Sequence, residues 1–242
     1  MKSSIFLIVS SLSFILITGF SYNSLAGIKG SSTIVESNFE IADFNGLDVS
    51  HAISVQIIQA DEYKVVVKHN DNLKDYLVIE KSGSVLKLGL QNGHSYKNLK
   101  VSVIIHTPSL ETIDLSGSSQ VFCQSFKSEK LNIESSGASS FKGELNCEYL
   151  SVDGSGASSF NLMGEIQYMY CELSGASNLK AKTLTVQKEL KVQASGASYI
   201  SIFCNGEITT KLSGASSMHY YGSGSMIDQS VKGASTIKAL EL

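Results

Sequence analysis

From about residue 116 onward, apolar residues recur at even spacings inside a longer period of about nineteen residues. A short phrase marks that period: Ser116-Gly117-Ser118-Ser119, Ser136-Gly137-Ala138-Ser139, Ser155-Gly156-Ala157-Ser158, Ser174-Gly175-Ala176-Ser177, Ser195-Gly196-Ala197-Ser198, Ser213-Gly214-Ala215-Ser216 and Lys232-Gly233-Ala234-Ser235. Its glycines are 20, 19, 19, 21, 18 and 19 residues apart. Four places after the glycine stand Val121, Phe141, Phe160, Leu179, Ile200, Met218 and Ile237. Six places before it stand Glu111, Leu131, Leu150, Met169, Leu190, Ile208 and Ile227; four before, Ile113, Ile133, Val152, Cys171, Val192, Thr210 and Gln229. Alternation with period two describes strands with one buried face, since a helix would repeat its apolar residues at three and four.

Strands inside a fixed nineteen-residue period predict a β-solenoid, in which each turn buries its apolar face against its neighbours. A leucine-rich repeat lacks its Leu and Asn ladder here, and a propeller blade is about twice as long. The glycine column, Gly117, Gly137, Gly156, Gly175, Gly196, Gly214 and Gly233, reads as a structural corner that needs positive φ. The following Ala is expected where the coil is narrow. The stacked Ser119, Ser139, Ser158, Ser177, Ser198, Ser216 and Ser235 are expected to pass hydrogen bonds from turn to turn.

Residues 33–115 lack the phrase but remain strand-like, in Ile53 to Gln59, Tyr63 to His69, Tyr76 to Glu80, Val85 to Leu90 and Leu99 to His106, with Ser82-Gly83 as a hairpin turn. They read as the irregular start of the same solenoid. Lys2, the apolar run from Ile5 to Ile17 and the small residues Ser24 and Ala26 predict a cleaved secretory signal over residues 1–26. Residues 27–242 then form a single β-solenoid domain, irregular over 33–115 and regular over 116–242.

With 19 Lys+Arg against 22 Asp+Glu and a net charge of −3, the chain offers no basic field for a nucleic-acid backbone. Export permits disulfides. Cys123, Cys147, Cys171 and Cys204 fall in different columns, however, so mostly free and buried thiols are expected, with Cys147 and Cys171 the open cases.

These residues resemble a family of exported bacterial proteins, the auto-transporter adhesins with a head GIN domain. The resemblance rests on Phe44-Asn45-Gly46-Leu47-Asp48-Val49, on Thr107-Pro108-Ser109-Leu110-Glu111 and on the Ser-Gly-Ala-Ser series, over roughly residues 36–240. It implies a single-stranded right-handed β-helix and surface adhesion, and it carries over no catalytic or binding residue. Lys232 departs from the usual Ser and marks a terminal turn.

Three places before the glycine, on the outward parity, stand Asp114, Glu134, Asp153 and Glu172, followed by Gln193, Lys211 and Ser230. Such a ladder reads either as a strip for a divalent or organic cation or as a solvated charged face. Five places after the glycine, Phe122, Lys142, Asn161, Lys180, Ser201, His219 and Lys238 form a thinner, partly basic strip, and Tyr220 and Tyr221 beside His219 read either as a stacking surface for a sugar or as the cap of a core end.

No hydrolase elbow, phosphate loop or zinc spacing occurs, so neither catalytic residues nor cofactors are assigned. The expected function is a non-catalytic envelope module, adhesin-like or structural, located in the periplasm, on the outer-membrane surface or in the medium. It would present side-chain ladders to a polysaccharide or surface protein, with self-association through the solenoid ends as a further contact. The alternative is a carbohydrate-active enzyme, a polysaccharide lyase or hydrolase, on the same scaffold.

Overall fold

Successive apolar positions stack one above the next. In the computed structural model, which describes residues 27–241, Val121, Phe141, Phe160, Leu179, Ile200, Met218 and Ile237 are parallel register partners from turn to turn. Leu131, Leu150, Met169, Leu190 and Ile208 form a second such column. The signal sequence expected over residues 1–26 lies outside the described residues. Four turns are each one long bent strand: Gln120–Ser135, Ser140–Gly154, Ser159–Leu173 and Asn178–Ala194. Register shifts, such as those between Cys123 and Phe126 and between Ala181 and Thr185, mark the bends.

The interior is matched for size across the coil. Phe141 and Phe160, among the largest fully buried side chains, lie in the turns whose column two places before the glycine holds Ser135 and Gly154. A Cβ on Gly154 would lie 2.7 Å from both the Phe160 ring and Leu173 Cδ2. The missing side chain is therefore what admits the ring at interior packing density.

At the corner the constraint falls on glycine. Gly175 has φ 69°, and a Cβ there would meet the Gly156 carbonyl oxygen at 2.5 Å. That oxygen accepts a hydrogen bond from the Ala176 N–H at 2.7 Å. The expectation that Ala fills a narrow place is corrected, because Ala138, Ala157, Ala176, Ala197 and Ala215 are exposed. The serine expectation is corrected too. Ser119, Ser158, Ser177, Ser198 and Ser216 donate to the carbonyl three residues earlier in their own turn, at 2.7 to 2.9 Å. The hydroxyl sits closer to its own turn than to the next one, and of these five only Ser158 also reaches across, to the Ser135 carbonyl at 2.9 Å.

The N-terminal part continues the stack but not in chain order. Leu86, Leu47, Ile113 and Ile133 form one column, and Val103, Val55, Val121 and Phe141 another. The Gly46–Val49 and Ser54–Gln59 turn is thus inserted between the later Val85–Leu90 and Ser102–Thr107 strands and the first regular turn. Antiparallel pairing allows this. Leu77–Ser82 folds back on Val85–Leu90 through the Ser82-Gly83 turn, and Lys64–Asn70 lies between Ile34–Phe39 and Ser102–Thr107. One buried cluster nevertheless runs from Phe44 to Met218.

At the other end, a register shift between Ile208 and Thr209 pairs Met226 with Ile208, leaving Ile227 55% exposed. Its expected place in the core column is thereby corrected. The end offered for self-association carries this bulge and the exposed Asp228, Lys232 and Lys238, features that oppose edge-to-edge pairing.

Gly175→Val should destabilise the protein by at least about 2 kcal/mol, because a branched residue is held at positive φ against a backbone oxygen. Ala176→Val should change stability by no more than about 0.5 kcal/mol. Thermal melts of both variants check this, and equal melting temperatures contradict the corner as described.

Candidate functional site

The strands preceding the corners at Gly137, Gly156, Gly175 and Gly196 turn their residues seven, five and three places before the glycine outward, because those at six, four and two are buried. Lys130, Asn132 and Glu134 in one turn are followed by Tyr149, Ser151 and Asp153, by Tyr168, Tyr170 and Glu172, and by Glu189, Lys191 and Gln193, in unbroken register. A single sheet face therefore presents three parallel columns.

The column three places before the glycine is the predicted acidic ladder, and the structure brings its members side by side: Asp114, Glu134, Asp153 and Glu172 are consecutive partners. It is longer than predicted. Asp48 pairs with Asp114, and Lys87 pairs with Asp48. Five carboxylates thus run between Lys87 at one end and Gln193 and Lys211 at the other. Alignment on glycine cannot reach Asp48, whose turn makes its corner with His51 and Ala52 at φ 61° and 59°. The signal that does reach it is local: Leu47-Asp48-Val49 repeats the alternation of Ile113-Asp114-Leu115.

At a rung spacing of ~4.8 Å, neighbouring carboxylates repel by about 1 kcal/mol per pair in water. Partial burial, with Glu134 and Asp48 beside it, raises the pKa of Asp114; partial burial, with Glu172 and Glu134, raises that of Asp153. Local donors orient two members, Asn132 Nδ2 donating to Glu134 at 2.8 Å and the Tyr170 hydroxyl to Glu172 at 2.6 Å. That hydrogen bond, burial and the adjacent charges push the Tyr170 phenol up to about 12. Among the described residues, no three His, Cys, Asp or Glu side chains form a group able to hold a metal ion. The ladder is linear rather than convergent.

Seven places before the glycine, sequence reasoning missed an aromatic element. The Tyr149 and Tyr168 rings stack at 4.9 Å between centroids and 9° between planes. Lys188 Nζ, from the next turn, lies 5.3 Å from the Tyr168 centroid. Tyr149 is 44% exposed. Beside the pair lies a depression of ≈ 270 Å³, with Tyr170 and Ser151 also lining it and the Lys191–Glu189 ion pair, at 2.8 Å, at its edge. The available signal was columnar: Tyr149 and Tyr168 both stand seven places before a repeat glycine.

The partly basic strip is also in register, from Phe122 to Lys238, on the strands that follow the corner. Lys142 Nζ lies 5.9 Å from the Phe122 ring centroid, and the Tyr199 hydroxyl is 3.2 Å from His219 Nδ1. Tyr220 packs on the core end, as expected. All four cysteines are free and buried. Burial pushes the Cys123 and Cys147 thiols up to about 12 and raises Cys171 and Cys204.

The family described as "Putative auto-transporter adhesin, head GIN domain" matches residues 43–224. No curated protein matches the chain's sequence. Among solved structures, a putative adhesin from Bacteroides fragilis is similar with a TM-score of 0.81 and 22% identity, over 88% of this chain and 100% of that one. A putative adhesin from Parabacteroides merdae gives 0.71 and 19%, over 88% and 98%. A putative lipid binding protein from Parabacteroides distasonis gives 0.69 and 19%, over 88% and 99%. At these identities the likeness is one of fold.

The raised carboxyl of Asp153 fixes the sign of a pH effect. The folded state holds that proton more tightly than the unfolded chain, so the group's contribution to stability falls as pH rises from the unfolded carboxylate value through the raised folded one. Asp153→Asn should therefore raise the melting temperature at neutral pH by about 1–2 °C. The gain should shrink toward zero near roughly pH 3.5, where the unfolded chain is also protonated. A lowered melting temperature at neutral pH contradicts the repulsion argument.

Proposed function

Because the chain belongs to the auto-transporter adhesin, head GIN domain family, we propose that it is an exported, non-catalytic binding module of the bacterial envelope. Its open sheet face presents side-chain ladders to a polysaccharide or protein partner in the periplasm, on the outer-membrane surface or in the medium. The observation that carries this reading is the unbroken register of the columns of tyrosines and carboxylates on one face. Along the acidic column a repetitive partner meets a carboxylate at five successive steps, so weak contacts add along the stack. No helix among the described residues is long and apolar enough to cross a membrane.

Chemistry is less well served than binding by this arrangement. Neighbouring carboxylates stand in line along an open sheet, and glycoside cleavage needs two that flank a bond from opposite sides. Exposed aromatic area of the kind Tyr149 provides marks contact surfaces.

A glycan array probed with the mature protein tests the proposal, alongside a variant carrying Glu134→Lys, Asp153→Lys and Glu172→Lys. The parent should retain a defined set of envelope-type polysaccharides, the variant should lose them by tenfold or more, and retained chains should keep their length over prolonged incubation. Shortened chains, or retention indifferent to the charge reversal, contradict it.

A further inference from the structure

Resting on that reading, we infer that the depression beside Ser151 is a subsite for one pyranose ring of a neutral or amino-substituted polysaccharide, and that it disfavours uronic and sulfated chains. The depression exists because the column five places before the glycine changes size. Ser151 stands where the next turns place Tyr170 and Lys191. The gap this leaves is walled by the Tyr149–Tyr168 stack on one side and Tyr170 on the other, with Leu150 and Met169 at its floor. Its ≈ 270 Å³ falls just below the range of ~300–1,000 Å³ that drug-sized ligands fill, which suits a single ring.

The lining matches a sugar's two kinds of surface. The tyrosine walls receive the C–H face of a pyranose, and the Lys191–Glu189 pair at the edge supplies donors and acceptors to its hydroxyls. The walls are held before any ligand arrives. The Tyr170 hydroxyl donates to Glu172 and accepts from Gln193 Nε2 at 3.0 Å, and the Tyr168 ring is held between Tyr149 and Lys188. Pre-ordered side chains spare a ligand the ordering entropy that weakens most surface contacts.

A polysaccharide fits the repeat better than a peptide. An extended peptide along the stack repeats its same-side residues at about 6.6 Å, out of step with rungs at ~4.8 Å, whereas a chain of pyranose rings advances by nearly one rung per ring. A ring substituent also lacks the rotamer entropy of a Lys side chain, about 1.5–2 kcal/mol each. Charge decides among sugars. Asp153 and Glu172 stand on the outward face two residues beyond Ser151 and Tyr170, and Glu148 and Glu129 raise the Tyr149 phenol pKa. The field around the depression is negative, and the stack already holds a cation in Lys188. Lys191 is paired with Glu189, so Lys130 and Lys188 oppose the four carboxylates of Asp153, Glu172, Glu148 and Glu129.

Calorimetry on the mature chain with three β-1,4-linked hexamers of glucosamine, N-acetylglucosamine and a uronic acid tests the subsite. The first two should bind and the uronic acid should be weaker by tenfold or more. Ser151→Trp, which fills the depression, and Tyr149→Ala with Tyr168→Ala, which removes its wall, should each weaken the first two at least tenfold with unchanged circular dichroism. Asp153→Asn should weaken the amine hexamer most and the N-acetyl hexamer less, through the lost carboxylate acceptor. Tightest binding by the uronic acid, or no heat from either of the other two, overturns the subsite. So do array ligands or oligolysine that bind the parent and Ser151→Trp equally, although the broader binding face then survives. A protein that retains nothing on the array loses both.

Discussion

Every other feature of the molecule depends on the backbone hydrogen bond that passes from one turn to the next at the corner, where the Ala157 N–H meets the Gly137 carbonyl at 2.7 Å and its counterparts above and below do the same. That contact is possible only where no side chain intervenes, and a Cβ on Gly156 would lie 2.6 Å from the Gly137 oxygen. The corner is therefore the fixed point of each turn. Turn length can then vary elsewhere. The 21-residue step between Gly175 and Gly196 is taken up against the turn before it by register shifts between Asn161 and Met163 and between Ile166 and Tyr168, and against the turn after it by the shift between Ala181 and Thr185. On the preceding strand, Leu190 still meets Ile208 and Gln193 still meets Lys211. Each shift falls ahead of the paired segments Tyr168–Leu173 and Glu189–Ala194, so their outward columns stay aligned.

Alignment also governs the electrostatics. A carboxylate that would be harmless alone becomes one of five in a row when its column repeats, and the carboxyls of Asp114 and Asp153, raised first by partial burial, are raised further by that repetition. The neighbouring columns offset it in part. Asn132 and Tyr170 each donate to the carboxylate two residues further on, and Gln193 and Lys87 stand at the ends of the acidic run. The same face is thus acidic along one line and aromatic along another, an arrangement that discriminates among partners by charge while it gains area from the rings.

How much of this was legible in the sequence follows from what repeats. The core columns, the glycine corner and four of the five carboxylates recur at constant offset from a recognisable phrase, so alignment alone recovers them. Asp48 lies beyond the phrase, and its turn is out of chain order because antiparallel hairpins, set by turns such as Ser82-Gly83, intervene. Tyr149 and Tyr168 repeat only twice before Glu189 takes the column, too short a run to stand out from scattered aromatics. Serine roles were misread because a hydroxyl one position from a turn satisfies its own turn first. Ile227 was misplaced because a bulge moves a residue across the sheet without altering the sequence spacing.

The in-register stack itself is measured most directly by distances along one column. Pairs of nitroxide labels at Lys211 with Glu134, Asp114 and Asp48 in turn are separated by four, five and six rungs. Pulsed electron resonance should return distances that lengthen by ~4.8 Å at each step. Distances that fail to increase from Glu134 to Asp114 to Asp48 would contradict the parallel, aligned solenoid on which the account rests.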